Sequence, residues 1–582
     1  MMLPPLANLV AVHDADAGSL DTIGQGLAAA DRFSSVWRPT PGWVAATAPL
    51  PGGDTDPQIV IGQGFAFAEG RESILSGHSS MSTSLRHLAT LVDLHPERLS
   101  RLPGDFTFIR FRESGAATVV RSCGGLVPVY VSEANGRVVI GTRLEYVAEL
   151  LREEPRLDPF STAVWLTGYT FFPSARTPIE GVSLLPRGHY AADLGDRPVT
   201  FRPYWDPRPH SEAELVPTKE HSRQLRSLLI QTLERDLDPA GNNLLTLSGG
   251  VDSSSLGSLA AGALGRPVST LTLLPAFPAG RVRELAFVDS VRNRFAFGQG
   301  WNIVLDPETK MNLLAEAPQT VFPVLHPLLW ALPKIHEEST IRTYFGGEFG
   351  DEVCGAYATV PDWVRHTSLV SLARNLRQLP LGPRDVLRWA KRRALETLGR
   401  PILPFVGGNL PDWAKEELHE EYREWLHELR TRINRDRRPL RYLTLSMDGD
   451  GWLPMNWEVT SSLGIRRSNP FFTREILELA YECHPSELVG RGTKKLIRAA
   501  LASDVPPLNL NRQDRGEWGV PPPLMGAWRL PLPDALRQIV RRDFFPRPLE
   551  PLPYWDRVGL TILVRFAGSL RDVRANRRKE RQ

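Results

Sequence analysis

Ser248-Gly249-Gly250-Val251-Asp252-Ser253-Ser254 decides how the rest of the chain is read. Before it, Asn243 to Leu247 is a short apolar run that predicts a strand; after it, the small-residue stretch Ser253 to Leu264 predicts a helix. Glycines at such a turn let backbone N–H groups approach an anion. The helix N-terminus turns its positive dipole end to the same point, and serine hydroxyls add donors. The stretch reads as a phosphate cradle, with Leu247, Ser248, Gly249, Gly250, Ser253 and Ser254 as candidate nucleotide-binding residues. Asp252 supplies a carboxylate at the rim, suited both to the nucleotide and to the Mg2+ that accompanies its phosphates. The P-loop of kinases and GTPases is a different motif, and no GxxxxGK[ST] occurs in the chain.

Working outward, a helical pattern around Leu225 to Leu233 precedes the cradle, and a second strand, Val268 to Leu274, follows it. Strands alternating with helices at this spacing imply a parallel sheet with crossover helices. The upstream sequence has a different rhythm. Ile59 to Ile61, Phe106 to Phe111, Ala117 to Arg121, Val127 to Val131 and Val138 to Ile140 read as short strands between turns, the last just after Asn135-Gly136. Asp206 to Ser222, with Pro207, Pro209 and Pro217, has the composition of a linker, so the expected division is a β-rich unit at 1–207 and an α/β unit at 208–582. Downstream, Leu418, Tyr422, Trp425, Leu426 and Leu429 fall on one helical face, and the region from Pro361 to Met447 reads as mostly helical.

The 582 residues carry 69 basic and 66 acidic side chains, a net charge of +3, with 42% hydrophobic residues, which excludes a disordered, collagenous or coiled-coil chain. No run approaches the length of a membrane span, and Met1 to Gly18 lacks the basic start of a signal peptide. Near-neutrality argues against a general nucleic-acid binder, even with the basic tail from Arg571 to Arg581. Cys123, Cys354 and Cys483 lie far apart, which supports neither a disulfide framework nor a cysteine zinc site, and a reducing cytoplasm is expected. Only eight of the basic residues are lysine, the first at Lys219, so a lysine within a motif carries weight.

SGGVDSS resembles the PP-loop of the ATP pyrophosphatases, which split ATP to AMP and pyrophosphate. Gly346-Gly347-Glu348-Phe349-Gly350-Asp351-Glu352 resembles the GEGxDE segment of their asparagine synthetase branch, with Phe349 where the family has glycine. That resemblance implies Asp351 as a second Mg2+ ligand opposite Asp252, Gly347 beside the nucleotide, and Glu348 at the reacting centre. Lys494-Lys495-Leu496-Ile497-Arg498 resembles the KxxLR segment. By register Lys494 is the catalytic lysine that neutralises charge on the α-phosphate, with Lys495 as the other choice. Pro470-Phe471-Phe472 resembles part of RxPFxD, although Ser468 and Thr473 stand at the Arg and Asp positions. Arg512 to Pro521 resembles RxKxxFxxP, with Asp514 and Trp518 at the Lys and Phe positions.

The first unit is drawn in as well. Leu102 to Phe106, Arg121 to Tyr130, Gly141 to Glu145, Gly181 to Tyr190 and Tyr204-Trp205 look like the N-terminal domain of asparagine synthetases. The implied fold class is α/β: a degenerate glutaminase-type, Ntn-like β-sandwich domain of α+β build, followed by a PP-loop ATP pyrophosphatase domain with a parallel sheet and many helices. The family's glutaminase nucleophile is a cysteine at position 2; here Met2 stands there and no glutamine-binding NGE is found, so ammonia from glutamine is not expected.

An enzyme with the adenylating half alone takes its amine from the substrate, as β-lactam synthetases and lasso peptide macrolactam synthetases do. Glu348 stands where β-lactam synthetases tend to carry Tyr, and the long arginine-rich C-terminal region suits a larger substrate, so the resemblance favours the lasso peptide cyclases. It implies ATP and Mg2+ as cofactors and adenylation of an Asp or Glu side chain of a precursor peptide. Attack by the peptide's N-terminal amine then gives an isopeptide macrolactam, AMP and pyrophosphate. A leader-peptide recognition protein and a leader peptidase are the implied partners, with no nucleic acid and no membrane. The alternatives are a β-lactam synthetase, a glutamine-independent asparagine synthetase-like amide ligase, a tRNA-modifying PP-loop enzyme, and a peptide-binding scaffold without catalysis.

Overall fold

In the computed structural model, residues 9–14, 16–29, 35–40, 42–47, 59–62, 91–102, 105–166, 175–206, 218–306, 308–309, 312–313, 327–355, 410, 414–433, 449–488 and 494–512 are described. Among the described residues the first unit supplies eleven strands: β1 (Leu9–Asp14), β2 (Ser35–Trp37), β3 (Trp43–Thr47), β4 (Ile59–Gly62), β5 (Thr107–Phe111), β6 (Ala117–Arg121), β7 (Tyr130–Ala134), β8 (Arg137–Gly141), β9 (Val182–Leu184), β10 (His189–Leu194) and β11 (Phe201–Pro203). They form two antiparallel sheets, ordered β2-β3-β1-β8-β7-β9 and β11-β10-β6-β5-β4. Alternation of side chains across β1 explains the layering. Ala11 joins Trp43, Ile109, Phe111 and Val119 in the core between the sheets, while Val10 and Val12 face the helices Ala17–Ala29 and Leu144–Leu150.

Helix Glu220–Asp236 follows, and then, among the described residues, five strands: β12 (Asn243–Thr246), β13 (Ser269–Pro275), β14 (Gly300–Leu305), β15 (Thr343–Phe345) and β16 (Arg466–Ser468). All pair in parallel, in the order β14-β13-β12-β15-β16, as the strand–helix alternation predicts. The sheet is buried on both faces, with Leu244, Leu271 and Tyr344 in one core and Leu245, Leu247 and Phe345 in the other. From β12 the chain winds outward through β13 to β14 and then returns to β15 on the opposite side of β12. The gap between the carboxyl ends of β12 and β15 is therefore a topological switch point, where open α/β sheets form their binding crevice.

Several boundaries differ from the sequence reading. Val127 to Val131 is not one strand: ladder pairing starts at Tyr130, opposite Gly141 and Leu184, and Pro128 has no N–H for a ladder bond. The hairpin at Asn135-Gly136 has both residues at positive φ, +52° and +73°. The cradle helix starts at Val251, two residues before the expected Ser253, and passes into a π-helical turn at Ser258–Ala263. Leu418, Tyr422, Trp425 and Leu426 of helix Glu416–Ile433 are buried on one face, as their spacing predicts. The Leu429 side chain, most of 361–447, Met1 and Met2, Asp514, Trp518 and the basic tail lie outside the described residues. Among the described residues no helix is long and apolar enough to cross a membrane.

The two units share buried contacts. Arg143 donates to Glu458 (3.2 Å), whose other oxygen accepts the Leu144 N–H (3.0 Å), and the Trp205 indole donates to Glu478 (2.8 Å). Cys123 and Trp205 belong to the same core as helix Glu220–Asp236 and the cradle.

Candidate active site

The carboxyl end of β12 leads directly into the cradle. Leu247 is fully buried and finishes the sheet, its N–H donating to the Leu271 carbonyl (2.9 Å) and its own carbonyl accepting the Thr272 hydroxyl (2.8 Å). Gly249 then takes φ +70°, and a Cβ there would lie 2.5 Å from Phe287 Cβ, so both conformation and space require glycine. Gly250 caps the helix Val251–Gly257. The Ser253 hydroxyl accepts the Ser248 N–H (3.1 Å) and lies 3.0 Å from the Ser248 hydroxyl, which drives the turn into a tight loop. Ser254 is fully buried, and its hydroxyl accepts the Asn509 amide (3.1 Å) instead of opening outward.

The acidic segment leaves β15 and lies against that loop. A Cβ on Gly347 would lie 2.8 Å from the Ser253 nitrogen, and one on Gly350 would lie 2.7 Å from Asp252 Oδ1, so these glycines permit the close approach. Phe349 is the N-cap of the short helix Gly350–Cys354 and takes the left-handed conformation, φ +66°. This is the position where the family pattern has glycine. The departure keeps the glycine-like backbone, and burial of the ring, stacked on Phe472 at 3.9 Å between centroids, offsets the local strain.

Lys494 completes the centre from 242 residues away in sequence. Its ammonium contacts Asp252 Oδ2 and lies 2.8 Å from Asp351 Oδ1, so the three charged residues picked from separate motifs meet. Lys494 sits at φ +60° with its N–H donating to Gly355 (2.7 Å). Lys495 instead donates to the Ser486 carbonyl (2.8 Å), away from the carboxylates. Burial acts to lower the Lys494 pKa, but Asp252 and Asp351 outweigh it and hold the ammonium above its ordinary value. Burial, with Asp351 adding to it, pushes Asp252 up despite the lysine, and pushes Glu352 up to about 7.

Asp252 Oδ1 is buried and accepts no hydrogen bond among the described residues, leaving a hard oxygen beside a second carboxylate. One ammonium shared by two carboxylates leaves net negative charge. Both features fit a Mg2+ held by one or two carboxylates together with phosphate oxygens. Asp252 and Asp351 would be its protein ligands.

Glu348 pairs with Arg467 at 2.7 Å. Arg467 is fully buried, donates to Asn469 (2.9 Å) and lies over the Tyr344 ring at 4.3 Å. The sequence reading passed over this arginine, because the family pattern looks for one at position 468, where Ser468 instead donates to Asp236 (2.6 Å). Asn509 was also passed over. Its amide donates to the Gly249 carbonyl (2.9 Å) and the Phe287 carbonyl (2.8 Å) as well as to Ser254, and so ties the cradle down. Arg512 makes two 2.8 Å bonds to buried Glu284 and donates to the Ser248 carbonyl at 3.4 Å.

Ligand atoms of His221, Cys483 and Glu487 also approach within 4.8 Å of one another. Glu487 there accepts the His484 and Thr218 N–H groups and pairs with His221, which is the work of a helix-capping carboxylate.

Residues 224–580, more than half of the chain, match the protein family described as asparagine synthase. No curated protein matches the chain. Among solved structures, the NMN synthetase from Francisella tularensis is 19% identical, with 24% of this chain and 57% of that one covered and a TM-score of 0.17. The glutamine phosphoribosylpyrophosphate amidotransferase from B. subtilis is 9% identical, with 52% and 82% covered and a TM-score of 0.23. The chain thus spans a little over half the length of that NMN synthetase, and at these TM-scores neither likeness carries an argument.

Proposed function

The chain belongs to the asparagine synthase family, a family of ATP-using amide ligases, and from that premise we propose that it is a lasso peptide cyclase. It adenylates an Asp or Glu side-chain carboxylate of a precursor peptide. It then joins that carbon to the peptide's own N-terminal amine, releasing AMP and pyrophosphate. The observation that carries this reading is the Lys494 ammonium between Asp252 and Asp351, at the switch point and beside the cradle.

The residues of the centre divide the work. Backbone N–H groups around Gly249 and Gly250 and the helix start bind the leaving phosphates. The Lys494 ammonium, kept protonated by its two carboxylates, stabilises negative charge at the α-phosphorus as the substrate carboxylate attacks and the bond to pyrophosphate breaks. Mg2+ on Asp252 and Asp351 would neutralise phosphate charge. Glu348, oriented by Arg467, accepts the proton lost by the attacking amine.

Residues 1–207 form, in this reading, a glutaminase-type unit without a nucleophile. All three cysteines are buried, and burial pushes the Cys123 thiol far above its ordinary value, so the described cysteines offer no thiolate to glutamine. The proposed partners are a leader-recognition protein and a leader peptidase, and the proposed compartment is the cytoplasm.

The test is incubation with ATP, Mg2+ and a leader-processed precursor peptide. The expected product has lost one water, with one pyrophosphate per ring, and both signals vanish in Lys494→Ala and Asp252→Ala. Turnover of a small β-amino acid without a peptide would identify a β-lactam synthetase instead, and ring formation without ATP would end the proposal.

A further inference from the structure

The Phe349 side chain has no part in the chemistry above, yet it stands between Glu348 and the Gly350-Asp351 pair in a conformation that favours glycine. Phe349 is buried, and its ring lies nearly parallel to that of Phe472, at 23° and 3.9 Å between centroids. Phe472 is itself buried. On it lies a third group, the Arg187 guanidinium, 4.4 Å from the ring centroid.

Arg187 comes from the antiparallel unit, between β9 and β10, and is only 4% exposed. It is held there from several sides. Its Nη1 donates to the Cys123 carbonyl (3.3 Å), and a Cβ on Gly125 would lie 2.2 Å from Arg187 Cγ, so the side chain runs through a slot that only glycine leaves open. Gly188, next in the chain, is packed against Trp205, whose Cε3 would lie 2.9 Å from a Cβ there. The stem of Arg187 is thus confined, and its guanidinium is tethered to the Cys123 carbonyl while it lies on the ring.

The acidic loop is gripped at two adjacent residues by one segment. Arg467, within β16, takes the Glu348 carboxylate, and Phe472, four residues beyond that strand, takes the Phe349 ring. The Arg187 contact completes a continuous path from the antiparallel sheets to the backbone that carries Asp351.

We propose that Arg187 is a positioning residue for the adenylation site, acting through Phe472 and Phe349 to fix the loop that presents Glu348 and Asp351. The antiparallel unit then has a task unrelated to glutamine: it supplies the cation that clamps this loop. The inference rests on the proposed function for the meaning of the loop, but not for the clamp itself.

Two measurements test it on the full chain. Amide hydrogen exchange over residues 346–355 in metal-free protein needs no substrate. A partly desolvated cation–π contact predicts that Arg187→Met speeds this exchange by about three- to tenfold, that Arg187→Lys restores most of the protection, and that exchange in β12 and β13 stays at the wild-type rate. The Mg2+ concentration for half-maximal ATP consumption rises by about the same factor, since the loop must be ordered before the cation binds.

The decisive comparison is the double variant. In a Phe349→Gly background, Arg187→Met should add no further increase in exchange, because the path is already cut. Unchanged exchange in Arg187→Met, or effects that multiply in the double variant, would overturn the clamp. Phe472→Leu provides a second cut in the same path if Arg187→Met does not fold. A wild-type protein that consumes no ATP with peptide would sink the proposed function and leave the exchange result standing.

Discussion

Replacing Lys494 with Met removes the only one of the three central charges that is positive, with little change in side-chain volume. Lys494 and Asp252 retain 14% and 13% of their side-chain exposure and Asp351 retains 38%, so the Asp252 contact behaves as a buried pair and the Asp351 contact as a nearly exposed one. Breaking a buried pair from one side costs about 3–5 kcal/mol, and the residual exposure puts this one at about 3 kcal/mol. In metal-free solution the variant should therefore unfold at clearly lower urea. Millimolar Mg2+ should recover much of the loss, because two carboxylates without an ammonium bind a divalent cation better than two with one. Catalysis should not recover. Loss of one preorganised donor to developing charge lowers kcat by about 10²–10³, or about 2.7–4 kcal/mol. Pyrophosphate release and urea midpoints, each with and without Mg2+, measure both effects. A kcat within threefold of wild type, or an instability that Mg2+ leaves untouched, would refute the assignment of these three residues to one centre.

Other consequences concern the parts that hold the centre. Arg512→Met leaves the buried Glu284 carboxylate without its two 2.8 Å bonds and should cost about 3–5 kcal/mol, most of it regained in Arg512→Met with Glu284→Gln, as urea unfolding would show. Gly249→Ala forces a Cβ into the left-handed region at φ +70°, a strain of about 1–2 kcal/mol, which with the Phe287 clash should weaken ATP binding by at least about tenfold in calorimetry. Glu352 gives a pH signature. Burial and Asp351 push its folded pKa up from 4.5 to about 7, so between those values the unfolded chain ionises while the folded one keeps its proton. Stability of the metal-free protein from this group therefore falls as pH rises across that window and levels off above it. Glu352→Gln should flatten the fall, and parallel urea midpoints for the two proteins across pH 4.5 to 8 would contradict it.

The cradle was legible because its chemistry is local: a strand, a glycine forced to positive φ and a helix start all fall within a few residues of Gly249. The parallel sheet followed from the rhythm of strands and helices around it. β1 was not legible, because Val10, Ala11 and Val12 are all buried, facing two different cores, and alternation between apolar and polar residues is absent. Arg467 and Asn509 were missed for another reason. Each is a single residue brought to the site by the fold from far along the chain, and neither periodicity nor a fixed motif marks it. Phe349 was visible as a departure from a pattern, but its meaning depends on Phe472 and Arg187, which only the packed structure brings to it.

The proposed reaction turns on attack of the substrate carboxylate on the α-phosphorus of ATP. A leader-processed precursor peptide carrying ¹⁸O in its acceptor carboxylate tests this directly. One ¹⁸O should appear in the AMP and none in the pyrophosphate for each ring closed. Label in inorganic phosphate with ADP as the nucleotide product, or AMP without label, would contradict it.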